Sequence, residues 1–299
     1  MASSNQPETT PPPPPEPAVV TIVGAGPGAP DLLTLRAARA IEAAEVLVWT
    51  DSLVSPQIAA LAPATAERIR TSTLTLEQVL EVLIERARAG KRVVRLHDGD
   101  PCLYGALAEQ VSRLSEAGLE VEVVPGLSAY QATAAALQAE LTIPGLVQTI
   151  VLSRASGRTG VPEKESLERL AALGASLCLY LSARHVEEVQ QVLLQHYPAD
   201  TPVAIGYRVS WPDQWITVVP LSQMAETSRQ RQLIRTTLYV ISPALNAPQQ
   251  ARSHLYSSAH SHLFRPGGTG TLAAAKGLPV DQAASDCGQL AEASPVSLP

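Results

Sequence analysis

The residues best placed to do chemistry stand in one run, His97-Asp98-Gly99-Asp100-Pro101-Cys102-Leu103-Tyr104-Gly105. Two carboxylates flank a glycine and are followed by a proline. Carboxylates accept hydrogen bonds from ammonium groups and sugar hydroxyls, and the glycine lets a backbone approach a ligand closely. The apolar run Val93-Val94-Arg95-Leu96 in front of it reads as a buried parallel strand, and a helical pattern follows from about Ala106 to Ala117. The run is therefore a strand-to-helix turn, the position where open α/β sheets bind ligands.

Two further turns have the same character. Gly24-Ala25-Gly26-Pro27-Gly28-Ala29-Pro30-Asp31 follows the β-branched strand Val19–Val23, and Pro125-Gly126-Leu127-Ser128-Ala129 follows Val121–Val124. Ser128 suits the N-cap of an Ala-rich helix running to Glu140. Three strand ends rich in Gly, Pro, Ser and Asp on one sheet edge predict a ligand cleft. The first loop also fits G-x-G-x-x-A, with Asp51 about where a ribose-binding acid would stand. Pro27 and Pro30, however, remove two of the backbone donors a pyrophosphate would need. A later loop, Arg154 to Pro162, carries Arg154 and Arg158, suited to an anionic ligand. Asp51 and His97 lie at strand ends where a general base could stand; each also reads as a structural residue, an N-cap and a packed turn residue.

The elements that hold these loops follow from the pattern. The start reads β-loop-α-β, with a helix over 32–44 and a strand over Glu45–Trp49, which implies a parallel pair with a right-handed crossover. Residues 53–90 read as two helices, the better one Leu76 to Ala89. Past residue 148 strands are expected at 149–153, 176–181, 202–207, 215–219 and 237–241, with helices at 166–173 and 185–196. The short, closely spaced strands from 202 onward imply a mixed sheet. The division is thus 18–126 as a first α/β domain, mainly parallel, and 127–248 as a second with a mixed sheet. Residues 1–17 and 266–299 read as disordered tails and 249–265 as a docked basic segment.

Composition limits the classes. The chain has 299 residues, 45% hydrophobic and only 4% aromatic, enough for two cores. A net charge of −6 argues against a nucleic-acid partner. Three dispersed cysteines suggest neither disulfides nor zinc, and fit a cytoplasmic setting. His254, His260 and His262 have no acid or cysteine among them, so no metal is expected. No apolar run reaches membrane-spanning length and no signal peptide is legible.

The blocks GAGPGAPDLLTLRAARAI, HDGDPCLYGA, EVVPGLSAYQATAAAL and LTIPGLVQTIVLSRASGRT, in this order, resemble the tetrapyrrole methyltransferases that use S-adenosylmethionine. WTDSLV, AELTIP, LSRASGRTGVP, TPVAIGYRVSWPD and SHLYSSAHSHLFR narrow the resemblance to the branch acting at carbon 11 of precorrin-4 or cobalt-precorrin-4. The match covers about residues 18–265. It implies two α/β domains with the cofactor in the cleft between them, and a homodimer. It implies that Pro27 walls the cofactor, that Asp98, Gly99 and Asp100 hold its methionine end or ribose, and that Leu103, Ser128 and Ala129 lie against it. It places Leu181 and Tyr207 near the adenine with Thr237, and Arg154 and Arg158 against the acid side chains of the tetrapyrrole. The chain departs from the family pattern at Ala29 and Asp98 beside the expected cleft, and at Ser153, Ser156 and Gly160.

Methyl transfer is an in-line displacement at a sulfonium methyl, for which alignment can contribute roughly 7–11 kcal/mol. The reading competes with methylation at another position (uroporphyrinogen III or a different precorrin), with a nicotinamide-dependent oxidoreductase, with a noncatalytic binder that keeps the cleft, and with a ribosomal-RNA methyltransferase, which the acidic charge disfavours.

Overall fold

The computed structural model describes residues 18–157 and 160–246. Both tails, the 249–265 segment with its histidines, and Arg158 lie outside the described residues. The first domain runs β1 (Val19–Gly24), α1 (Leu35–Glu42), β2 (Val46–Trp49), α2 (Pro56–Ala59), β3 (Glu67–Arg70), α3 (Leu76–Arg88), β4 (Val93–His97), α4 (Leu107–Glu116) and β5 (Glu120–Val124). Its five strands are all parallel, in the order β3-β2-β4-β1-β5. Side chains alternate between two faces, as a pleated strand requires. Val20, Ile22, Val46 and Val48 pack with Val79, Leu83 and Leu114 of α3 and α4. Val23, Leu47 and Leu96 pack on the opposite face with Ile41 and Ile58 of α1 and α2.

The second domain adds α5 (Ala129–Ala136), β6 (Ile150–Arg154), α6 (Leu167–Ala171), β7 (Ser176–Tyr180), α7 (Val186–Leu193), β8 (Pro202–Tyr207), β9 (Trp215–Pro220), α8 (Met224–Gln230) and β10 (Thr237–Ile241). Its sheet is mixed, β6-β7-β10-β8-β9; β6 and β7 are parallel and the other pairs antiparallel. Leu177, Leu179, Ile205 and Tyr239 pack under α6, α7 and α8, while Cys178, Ala204 and Val240 face α5. Two α/β domains with these two sheet types are the expected fold class.

Several boundaries differ from the pattern reading. The expected helix over 32–44 begins only at Leu35: Pro30–Leu32 form a 3-10 turn, and Thr34 Oγ1 accepts from the Ala37 N–H as the N-cap. The helix expected to reach Glu140 stops at Ala136, with Gln138 in the left-handed region. Strand β3 stands where a helix was expected. Its sequence, Glu-Arg-Ile-Arg, has one apolar residue, so it lacks strand alternation; as an edge strand it needs only one partner, and Arg68 spends its guanidinium on the carbonyls of Ala59, Ala62 and Pro63.

Candidate functional site

Because β4, β1 and β5 are neighbours, the three glycine-rich turns stand side by side at the carboxyl edge of the first sheet. They are joined by backbone. Gly26 and Gly99 exchange two hydrogen bonds, of 3.1 and 2.9 Å, and Ala25 N–H donates to the His97 carbonyl at 2.7 Å. A Cβ on Gly24 would lie 2.7 Å from Gly126 Cα and 2.8 Å from the Gly99 carbonyl, and one on Gly126 would overlap that same oxygen. Only glycine permits such contact. Asp100 ties the loops further: Oδ1 accepts from Cys102 N–H at 2.8 Å and Oδ2 from Gly126 N–H at 3.0 Å. Its carboxylate thus first fixes the loops.

These turns form one wall of a cleft of about 410 Å³. The other wall comes from the second domain: Tyr180 and Leu181 at the end of β7, Gly206 and Arg208 at the end of β8, and Thr237 and Leu238 at the start of β10. Antiparallel pairing explains the convergence, since Thr237 stands opposite Tyr207 in register. Of the residues expected to meet the cofactor, Pro27, Asp98, Gly99, Asp100, Leu103, Ser128, Ala129, Leu181 and Thr237 line the cleft. A side chain on Gly99, whose φ is +58°, would meet only Ser128 Cα at 4.0 Å, so it would project from the loop without displacing protein atoms. Ser128 Oγ is 2.7 Å from the Tyr180 hydroxyl, which also accepts from Tyr130 N–H at 3.2 Å and so ties α5 to β7.

Other expected residues lie elsewhere. Tyr207 is half-buried against the core of the second sheet and lines an adjoining cavity with Trp215 and Arg231, so the structure does not put it beside the cleft. The two-residue period of β8 is the reason: Gly206 faces the cleft and Tyr207 the opposite side. Asp51 does not line the cleft either. Its two oxygens accept from Ser72 N–H and Ser72 Oγ, each at 3.0 Å. Burial opposes ionisation there, but the Ser72 bonds prevail and hold the carboxyl below its usual range. His97 is buried, with Nε2 3.1 Å from Gln110 Nε2, whose amide also donates to the Gly105 carbonyl at 2.8 Å. Burial, with Arg95 nearby, lowers the imidazole to about 4. It is neutral at physiological pH, and it points into the fold. Arg154 ends β6, and its guanidinium donates to the Gly160 carbonyl at 2.9 Å; it is not in the cleft lining.

Asp98 is exposed to the cleft. Although the residue keeps exposed surface, desolvation of its carboxyl among the packed loops raises it, against its own backbone bond and the pull of the buried Arg95 guanidinium. Arg95 donates to Val48 O at 3.3 Å and Thr50 Oγ1 at 3.1 Å, and burial lowers it to about 10.

Sequence reasoning missed Tyr180, Arg184 and Arg208 and gave Tyr104, though part of the central run, no role; all four line the cleft. Position alone could have flagged them, since Arg184 and Arg208 follow strands that end at the cleft. Their conformations carried no signal. Tyr104, Leu181, Arg208 and Thr236 are non-glycine residues with φ between +46° and +59°. Each such residue costs on the order of 1–3 kcal/mol and is found chiefly where a site demands it.

A two-domain fold with its cleft on three glycine-linked loops defines a class, and the family model for Tetrapyrrole (Corrin/Porphyrin) Methylases matches residues 19–225. The chain belongs to that family. It is 42% identical to the precorrin-4 C(11)-methyltransferase of Pseudomonas aeruginosa, over 83% of this chain and 99% of the relative. It is 38% identical to the cobalt-precorrin-4 C(11)-methyltransferase of Methanocaldococcus jannaschii, over 82% of this chain and 95% of that one. Among solved structures it resembles a cobalamin biosynthetic enzyme, cobalt precorrin-4 methyltransferase, with a TM-score of 0.74 and 38% identity, covering 77% of this chain and 97% of the other. It also resembles a Thermus thermophilus uroporphyrin-III C-methyltransferase complexed with S-adenosyl homocysteine, with a TM-score of 0.65 and 28% identity, covering 76% of this chain and 98% of that chain. Among the described residues no helix is long and apolar enough to cross a membrane.

Proposed function

We propose that the chain methylates carbon 11 of precorrin-4 or cobalt-precorrin-4, with S-adenosylmethionine as donor. The observation that carries this reading is the cleft, which joins the glycine-linked loops of one domain to the strand ends of the other in a chain so similar to precorrin-4 C(11)-methyltransferases. The lining suits the donor: an open glycine backbone at Gly99, apolar contact from Leu103 and Leu181, and polar groups at Ser128, Asp98 and Thr237. When bound, S-adenosylmethionine supplies an electrophilic methyl group on a sulfonium sulfur.

The chain's own residues would bind and orient. Pro27 offers a rigid wall without an N–H. Gly99 and Ser128 bring backbone groups to the donor, and Leu103, Leu181 and Leu238 exclude water from the reacting centre. Among the described residues Asp98 is the one carboxylate of the lining not already bonded to backbone amides of neighbouring loops, and it stands where a cationic donor gains from a carboxylate. Arg154, with Arg158 of the same loop, is the sequence-based candidate for the acid groups of the substrate. A cytoplasmic homodimer completes the proposal, supported by the family resemblance alone; sedimentation velocity would test the assembly.

The test is to incubate purified protein with labelled methyl donor and each available pathway intermediate, then to locate the label by NMR. Label at carbon 11 of precorrin-4 or its cobalt complex is expected. Methylation of uroporphyrinogen III in place of precorrin-4 would refute the assignment.

A further inference from the structure

Among the described residues the cleft is lined by five charged side chains: Asp98, Asp100, Arg184, Arg208 and Arg235. Asp100 is committed to backbone amides, and Arg208 is held by Asp213 at 2.7 Å and by the Trp211 ring at 4.7 Å. Arg184 and Arg235 are different. Both are exposed, and among the described residues neither guanidinium has a hydrogen-bonded or ion-pair partner. Glu187, the acid of the adjoining groove, is instead engaged by Arg229 at 3.5 Å.

Their placement is specific. Ile234, with 55% of its surface exposed, lines the cleft, an adjoining groove and an adjoining cavity of about 390 Å³. Arg184 stands where the cleft meets the groove, and Arg235 where it meets the cavity. The loop presenting Ile234 and Arg235 is fixed at both ends. Gln232 and Thr236 both have φ of +54°, Gln232 N–H donates to the Arg229 carbonyl, and the Thr236 carbonyl accepts from Arg208 N–H at 3.0 Å. Non-glycine residues keep that conformation only where the surroundings impose it. The cleft mouth thus carries an exposed isoleucine and two arginines that are unpaired among the described residues.

The proposed substrate has the complementary chemistry, an apolar macrocycle edged with carboxylates. A chain of net charge −6 must supply local positive charge to receive it. Guanidinium forks pair carboxylates bidentately. We infer that Arg184 and Arg235 form a carboxylate grip for the tetrapyrrole's acid side chains, with the macrocycle resting on Ile234. This rests on the tetrapyrrole reading above and names residues for it other than Arg154 and Arg158.

The test compares the parent protein with Arg184→Gln, Arg235→Gln and the double variant. KM for precorrin-4, kcat and the dissociation constant of S-adenosylhomocysteine would each be measured. The double variant should raise the precorrin-4 KM at least tenfold and flatten its dependence on salt. Its affinity for S-adenosylhomocysteine should stay within twofold of the parent. If the parent turns over precorrin-4 and the double variant keeps the same KM, the grip is wrong while the function stands. If the parent methylates no tetrapyrrole, the function itself is overturned and the grip falls with it.

Discussion

Trp211 of the second domain donates its indole N–H to the carbonyl of Pro27 in the first, at 2.9 Å. Beside this bond Ser210 Oγ accepts from Ala29 N–H at 3.0 Å. The Ser-Trp-Pro turn after β8 is thereby strapped onto the first glycine loop, next to the rim where Pro27, Arg208 and Val209 line the cleft. The Arg208 guanidinium lies over the Trp211 ring, 4.7 Å from its centroid. The strap explains why Gly28 must be glycine: a Cβ there would overlap the indole.

Trp211→Phe keeps a ring but removes the donor, so the Pro27 carbonyl loses a bond worth about 1 kcal/mol. We expect a weaker affinity for S-adenosylhomocysteine, by roughly fivefold, with a small loss of melting temperature. Gly28→Ala alone should be worse, and should be partly rescued in a Trp211→Leu background, because the two changes act on one contact. Simple additivity of the two variants in calorimetric titration would show that the loops are not coupled there.

Much of this site was legible in the sequence because its decisive residues are glycines, prolines and strand ends. Gly24, Gly99 and Gly126 announce close backbone approach whatever follows. Gly-Pro turns cannot reveal that Asp100 spends its carboxylate on Gly126 and Cys102, or that Trp211 arrives from 184 residues away. The alternation of β8 was visible, yet it placed Tyr207 against the core only once the sheet's two faces were known. Strand β3 was illegible for a different reason: one isoleucine among charges has no period to read. Left-handed Tyr104 and Leu181 are imposed by their surroundings, and no local residue preference betrays them.

Gly99→Val tests the cleft floor. A β-branched side chain at φ +58° is strained, and it would also enter the cleft. Gly118→Val separates the two effects, since Gly118 has φ +79° with nothing within 4 Å of its Cβ and is not part of the cleft lining. Both variants should lose melting temperature, but only Gly99→Val should weaken S-adenosylhomocysteine binding, by at least tenfold. Equal affinities would mean that the donor lies elsewhere.

Asp51→Asn asks whether that carboxylate is a base. Both its oxygens hold Ser72, so the structure assigns it to fixing the turn after β3. The asparagine should lower melting temperature by a few degrees and change kcat less than threefold. Removal of a general base would cost 10²–10⁴-fold, so a fall of that size would restore Asp51 to the chemistry.

His97 sets an acid limit on stability. Its imidazole titrates near 4 in the folded chain because burial, and then Arg95, penalise the charged form, against an ordinary value near 6.5. Between those pH values the unfolded chain binds a proton that the folded chain does not, so stability rises with pH across the window and falls as pH drops from 6.5 toward 4. The full shift corresponds to an order of magnitude of about 3 kcal/mol. Asp98 acts in the opposite sense, since a carboxyl raised in the fold gains stability as it protonates. The difference between parent and His97→Gln therefore isolates the imidazole: chemical denaturation at pH 7, 5.5 and 4.5 should show the parent losing stability more steeply than the variant. Parallel losses in the two proteins would mean that the ring is already solvated in the native state.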